Sequence, residues 1–104
     1  MITEYVLFGL PAGITREKVL QGMRAVAPRW RSEADLIRKT FVYDPAANQA
    51  GAFYVWKNRA SAERAHNEEW RKGVRATYGS DPVIRYFDVP LIVDNVLGDT
   101  IEPR

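Results

Sequence analysis

Hydrophobic and polar positions along this chain change period four times, and the changes mark out its elements. Ile2 to Phe8, "ITEYVLF", is rich in β-branched and aromatic residues and runs into "GLPAG", so a strand ends at the Gly9, Pro11 and Gly13 breakers. From Thr15 the period becomes helical: Val19, Leu20, Met23, Val26 and Ala27 fall on one side. Thr15 suits the N-cap of this helix, Glu17 its first turn, and Pro28 its end, because proline cannot donate to the preceding turn. Asp35 to Asp44 and Gly51 to Lys57 read as strands joined by the turn "PAANQ", a hairpin with a longer loop. Asn58 suits the cap of a second helix over about Arg59 to Arg75. "YGSDP" stops it, and Val83 to Asn95 supplies a fourth strand interrupted at Pro90, with a short extra segment at Leu91 to Val93.

The order β-α-β-β-α-β predicts an α+β, ferredoxin-like fold, an antiparallel four-stranded sheet with two helices on one face. Residues 1–96 form the single domain and 97–104 read as a flexible tail. The helix-free face of such a sheet normally alternates to polar residues where it meets water. Here it does not. Strand one alternates Tyr5 and Leu7 with Val6 and Phe8, strand three Phe53 and Val55 with Tyr54 and Trp56, and strand four Phe87 and Val89 with Ile84 and Tyr86. Both faces therefore require cover, and a second copy packed sheet to sheet supplies it, giving a homodimer through the open face.

Composition sharpens this. With 104 residues, 46% of them hydrophobic, and three Trp, five Tyr and four Phe, the aromatic load is heavy for so small a core. A formal charge of +2 is too small to point to nucleic acid. The strand-three run "AGAFYVWK" lacks the leading cation and the spacing of the RNA-recognition signature. There is no cysteine, which removes disulfides, thiolate metal sites and a cysteine nucleophile. No apolar run approaches the ~20 residues of a membrane span, and no signal peptide is legible. The expectation is a cytoplasmic protein with neither nucleic-acid nor membrane partner.

The segments "DLIRKTFVYD", "GAFYVWKNRASAERAHNEEW" and "YGSDPVIRYFDVPLIVDN" resemble the YdhR-like family of the dimeric α+β barrel superfamily, a family named for monooxygenases. The positions carrying the likeness are Leu36 and Lys39, Gly51, Tyr54 and Trp56, Ala62, Trp70, Gly79, Pro82, and Val89-Pro90 with Asp94-Asn95; Ala50 stands where the family has the first of two glycines. The resemblance spans Tyr5 to Asn95. It implies a homodimer whose sheets close into a barrel, with a pocket between sheet and helices in each subunit. It also implies oxidation of a small aromatic or polyketide-like substrate with neither metal nor organic cofactor, the deprotonated substrate itself activating oxygen. The alternative is a non-enzymatic, stress-related binder of small apolar molecules.

The candidate chemistry starts at "SAERAHNEEW", which holds the single histidine. On a wheel for the second helix, Ala62, His66, Trp70 and Gly73 share one side, so His66 faces inward. A near-neutral pKa suits an imidazole to take a phenolic proton; the bland alternative is a buried neutral imidazole with one hydrogen bond. Glu69, one turn on, could orient it, and Glu63-x-x-His66 is half of a carboxylate-bridged metal motif whose other ligands are missing, so no metal is expected. Lys39 and Arg85 sit mid-strand, where either could hold a phenolate or an oxygen-derived anion, or merely extend its charge to an edge. Tyr54, Trp56 and Trp70 would give a flat-walled apolar pocket for a planar ligand, though as ordinary core they need no function. The candidate set is thus His66, Lys39 and Arg85 for catalysis, and Tyr54, Trp56 and Trp70 for substrate.

Overall fold

The computed structural model describes residues 1–103. Its elements are β1 (Ile2–Gly9), α1 (Arg16–Arg31), β2 (Leu36–Asp44), β3 (Gln49–Trp56), α2 (Arg59–Ala65), α3 (Glu68–Tyr78), β4 (Val83–Asp88), β5 (Ile92–Asp94) and β6 (Asp99–Ile101). The first four long strands form one antiparallel sheet in the order β2-β3-β1-β4. The chain has the α+β ferredoxin-like fold.

Register decides which residues meet the helices. In β1 the buried positions are Ile2, Glu4 and Val6. They lie opposite Trp56, Tyr54 and Ala52 of β3, and opposite Asp88, Tyr86 and Ile84 of β4. Cross-strand partners share a face, so the buried part of this face is apolar or aromatic except for the Glu4 carboxylate, with Asp88 exposed at its end. In β2 the pairing shifts between Leu36 and Arg38. Without that bulge, strict alternation would put Leu36 and Lys39 on opposite faces; with it, Leu36 faces Trp56 and Lys39 faces Tyr54 on the same, helix-covered side. The other face carries Tyr5, Leu7, Phe53, Val55, Val83, Arg85 and Phe87 by the same alternation. Phe53, Val83 and Phe87 are all more than two-fifths exposed there, as the sequence pattern predicts.

Three boundaries depart from expectation. Pro28 does not end α1, which continues to Arg31 and closes on Ser32. A proline removes one donor, and here the loss falls in the last turn, where three further residues are held by Trp30 packing beneath. Thr15 caps the helix as its sequence implies, its hydroxyl accepting the Lys18 N–H at 3.2 Å. The second helix is not continuous. Asn67 caps a new one by accepting the Trp70 N–H at 3.0 Å, and His66 adopts φ −111°, ψ 47° at the end of α2. A residue type that competes with the helix backbone thus resets the helix in mid-run. Finally, the supposed tail pairs back: β6 joins β5 in a small hairpin of its own. Its turn is made by Asp94 Oδ1, which accepts the N–H groups of Val96 and Leu97, and by Gly98 at φ 73°.

Gly51 is a packing requirement. A Cβ there would overlap the Val6 carbonyl oxygen in the neighbouring strand, and backbone cannot yield as a side-chain tip can. Gly51→Ala is expected to lower stability by at least ~2–3 kcal/mol in urea unfolding, at the severe end of overpacking effects. A change below ~0.5 kcal/mol would show that β1 and β3 separate more easily than this register implies.

Candidate functional site

The core face of the sheet buries a carboxylate. Glu4 is fully inaccessible. Its Oε1 accepts the Trp56 indole N–H at 2.9 Å, and its Oε2 lies 2.8 Å from Nδ1 of His66. That second approach is close in distance but off-axis, so neither ring nitrogen of His66 makes an oriented hydrogen bond, and Nε2 has no partner. The histidine is inward, but for a different reason than a helical wheel supplies: it ends α2, where the chain turns, and its ring drops onto the sheet. Four aromatic rings enclose it. Trp30 stacks at 5.2 Å between centroids, and Tyr54 and Trp70 stand edge-on at 4.7 and 4.4 Å. Trp56 is at 6.4 Å.

Beside this cluster, between the sheet and the inner sides of α1 and α3, is a cavity of about 380 Å³. Val6, Phe8, Ala50, Ala52, Tyr54 and Phe41 form its sheet wall. Val19, Met23, Val26 and Trp30 come from α1, and Trp70, Val74 and Tyr78 from α3. The volume and the apolar aromatic lining suit a small planar molecule. Small residues create the space: Ala50 and Ala52 alternate with glycine and phenylalanine on β3, so no bulky chain fills it from below.

One ammonium group stands inside this apolar wall. Lys39 Nζ lies 3.9, 4.1 and 4.7 Å from the ring centroids of Trp30, Phe41 and Tyr54. The three ring faces favour the charged amine. Burial opposes it more strongly, and the nearby Arg29 charge adds to that, while Glu4 acts in the other direction; the amine falls from the ordinary lysine range to about 7. Burial, with the Glu4 charge, pushes the Tyr54 hydroxyl well above its usual value, so it stays a neutral donor. Burial and the nearby Glu4 charge push Tyr86 up to about 12.

The structure brings together Lys39, Tyr54 and Trp70 on the cavity, with His66 behind the wall that Trp30, Tyr54 and Trp70 form. His66 does not border the cavity. Trp56 does not either, being wholly buried as the partner of Glu4. Arg85 is on the opposite, open face, its guanidinium 5.0 Å from the Phe87 ring. Glu69 is exposed on α3 and does not orient His66, and Glu63 is paired with Arg59 at 2.8 Å on the surface. Among the described residues, no three His, Asp or Glu side chains converge as metal ligands would.

Glu4 is the residue that sequence reasoning missed. Its signal was there: in "ITEYVLF" it occupies the same alternation as Ile2 and Val6, a charged residue at a core position.

No family model matches the chain, and no curated protein matches it in sequence. Solved structures do match in fold. A candidate antibiotic biosynthesis monooxygenase from Deinococcus radiodurans superposes with a TM-score of 0.69 at 11% identity, covering 90% of this chain and 97% of that one. A second antibiotic biosynthesis monooxygenase gives 0.65 at 15% identity over 86% and 98%. Rv0793 from Mycobacterium tuberculosis gives 0.63 at 10% identity over 86% and 95%. The likeness spans nearly the whole of each chain and is one of fold. No helix here is long and apolar enough to cross a membrane.

Two measurements test the site's electrostatics. Removing one member of a buried polar contact leaves the other unsatisfied, at about 1–3 kcal/mol. Glu4→Leu and His66→Leu should each destabilise by that order, and the double variant by less than their sum; additive losses in urea would show that the two side chains do not act as a pair. Lys39 gives a pH signature. Its folded pKa lies below its unfolded value, so between about 7 and 10.5 the unfolded chain binds more protons and stability rises with pH. Lys39→Met should therefore raise stability by roughly 2–3 kcal/mol at and below pH 7, with the gain fading toward pH 10.5. A gain independent of pH would mean that the amine is not held in this environment.

Proposed function

We propose that the chain is a cofactor-independent monooxygenase acting on a small aromatic or polyketide-like substrate in the cavity between sheet and helices. In this reading it belongs with the YdhR-like proteins and works as a cytoplasmic homodimer closed through the open sheet face. One observation carries it: an aromatic-walled cavity holds a lysine amine that burial pushes down to about 7. The names of the fold neighbours, two of them antibiotic biosynthesis monooxygenases, point to the same class.

The chemistry asks little of the protein. A neutral Lys39 amine takes the proton of a phenol or of an enolisable ring CH₂, which a near-neutral pKa favours. The resulting ammonium stays against the anion, and the protonated Tyr54 hydroxyl donates to it. The electron-rich anion then reduces oxygen. For a substrate CH₂ the balance is CH₂ + O₂ → C=O + H₂O: one oxygen atom enters the product, and the other leaves as water with the two hydrogens.

The proton-accepting role thus falls to Lys39. His66 acts from behind, holding Trp30, Tyr54 and Trp70 in place, and Trp56 fixes Glu4 beneath it. Arg85 has no part in its own subunit's cavity; on the open face it would serve the contact between copies. The second reading is a binder without turnover, favoured by the aromatic wall that keeps the histidine out of the cavity.

Oxygen uptake with a panel of anthrones and hydroquinones separates the two. The wild type should consume one O₂ per anthrone, and Lys39→Met should lose about 10²–10⁴-fold in kcat, the usual worth of a positioned base. Ligand-induced thermal shifts with no uptake from any substrate would overturn the enzyme in favour of the binder.

A further inference from the structure

The chain has four lysines, and one of them stands in surroundings unlike the rest. Lys18, Lys57 and Lys72 are exposed, whereas the bulge in β2 brings Lys39 into register with Tyr54 on the helix-covered face. Lys39 borders the cavity, and its Nζ lies among the Trp30, Phe41 and Tyr54 rings that line it. Among the described residues no carboxylate is within ion-pair distance of this amine. A second cation is close. The Arg29 guanidinium lies 3.9 Å from the centroid of the same Trp30 ring, so two like charges share one indole. Arg29 has a partner of its own in Glu33 at 3.2 Å, and Lys39 has none. An amine held in an apolar chamber, beside another cation and without a counter-charge, keeps its lone pair available. That is the condition under which lysine attacks carbonyl carbon.

We infer that Lys39 is a nucleophile as well as a base, a covalent attachment site for an aromatic aldehyde seated in the cavity. The inference rests on the cavity reading given above and adds a bond to it. The step balances with no further reagent. The amine nitrogen adds to the carbonyl carbon, and one proton moves from nitrogen to the carbonyl oxygen, giving a carbinolamine. The C–O bond then breaks as the C=N bond forms, and the oxygen leaves as water with the two former amine hydrogens. Nothing is oxidised or reduced. The surroundings favour the product. The aromatic lining receives the flat ring of the aldehyde. A neutral imine carries no charge, so it escapes the burial cost that an ammonium bears in the same place. The ligand decides which chemistry follows: an acidic C–H or O–H gives the amine a proton, and an aldehyde takes its lone pair. Lys18 also borders the cavity, but it is exposed and provides the internal comparison.

Reductive trapping tests it. The intact protein is incubated at pH 7 with 2-naphthaldehyde and sodium cyanoborohydride in the absence of oxygen, and the reduced adducts are read by intact mass and peptide mapping. One naphthylmethyl group per chain is expected, on Lys39, formed at least ~10-fold faster than on Lys18 or any other amine, because far more of a buried amine than of an ordinary lysine is unprotonated at that pH. Lys39→Met should lose this adduct and keep the slow labelling of the other amines. Lys39→Arg, which retains the cation but cannot form the imine, should do the same. A second probe, 2-naphthalenemethanol, has the same ring and no carbonyl. It should quench tryptophan fluorescence and, at saturation, slow labelling of Lys39 while leaving the other amines unaffected. Labelling spread over the amines by exposure, or an unlabelled Lys39 in a protein that binds the alcohol, would overturn the nucleophile and leave the cavity reading standing. Labelling of Lys39 that the alcohol neither slows nor accompanies by quenching would overturn the cavity as the place where the ring sits. None of these readouts depends on oxygen uptake, so failure of the covalent site and failure of the oxidation remain distinguishable.

Discussion

The Glu4 carboxylate is the constraint around which the helix side of this protein is arranged. A charge taken wholly out of water needs compensation on each oxygen, and here one oxygen receives the Trp56 indole N–H while the other faces the His66 ring. Those two contacts tie the central strand β1 to its neighbour β3 and to the point where α2 gives way to α3. Trp56 lies directly across the sheet from Ile2, and His66 hangs from the helix end, so three separately built pieces of chain meet on a single side chain. The aromatic rings that close over the pair then have their inner positions set. Trp30, Tyr54 and Trp70 stand between the imidazole and the cavity, serving as core on one side and as lining on the other.

The same buried charge reaches the lysine across the wall. Lys39 is held by opposing influences: burial and Arg29 favour the neutral amine, while Glu4 and the surrounding ring faces favour the ammonium. A group balanced in this way can change its proton count for little free energy near pH 7, which is the property a general base requires. The stability cost of keeping an amine there is accepted by a small domain with few other polar groups inside. Strain between stability and function is therefore concentrated on β2, an edge strand whose bulge puts Lys39 on the inner face in register with Tyr54.

Much of this was written in the pattern of the chain. Period-2 runs broken by glycine and proline, with helical spacing between them, define the α+β order, and apolar residues on both sides of every strand foretell a sheet with an uncovered face. Lys39 stood out as a cation in the middle of a strand, and Tyr54 and Trp70 as flat walls. The caps at Thr15 and Asn58 follow from residue type and local spacing. These are short-range properties: each depends on neighbours within a few positions, and a linear sequence states them directly.

What only the tertiary structure decided depends on residues distant in sequence. Glu4 and His66 are separated by most of the domain, and a carboxylate in an otherwise apolar strand declares its burial only when the helix that covers it is in place. The break at Asn67 overrode a wheel that treated residues 59–75 as one helix, because a side chain capping Trp70 outcompeted continuation of the spiral. The pairing of β6 with β5, the helix that runs on past Pro28, and the removal of Trp56 and Arg85 from the cavity are of the same kind. Alternation told which residues share a face, but register, bulges and chain turns decided which of those faces meet. Local chemistry sets the elements and their inward sides; the free energy of packing those sides against one another selects which groups touch.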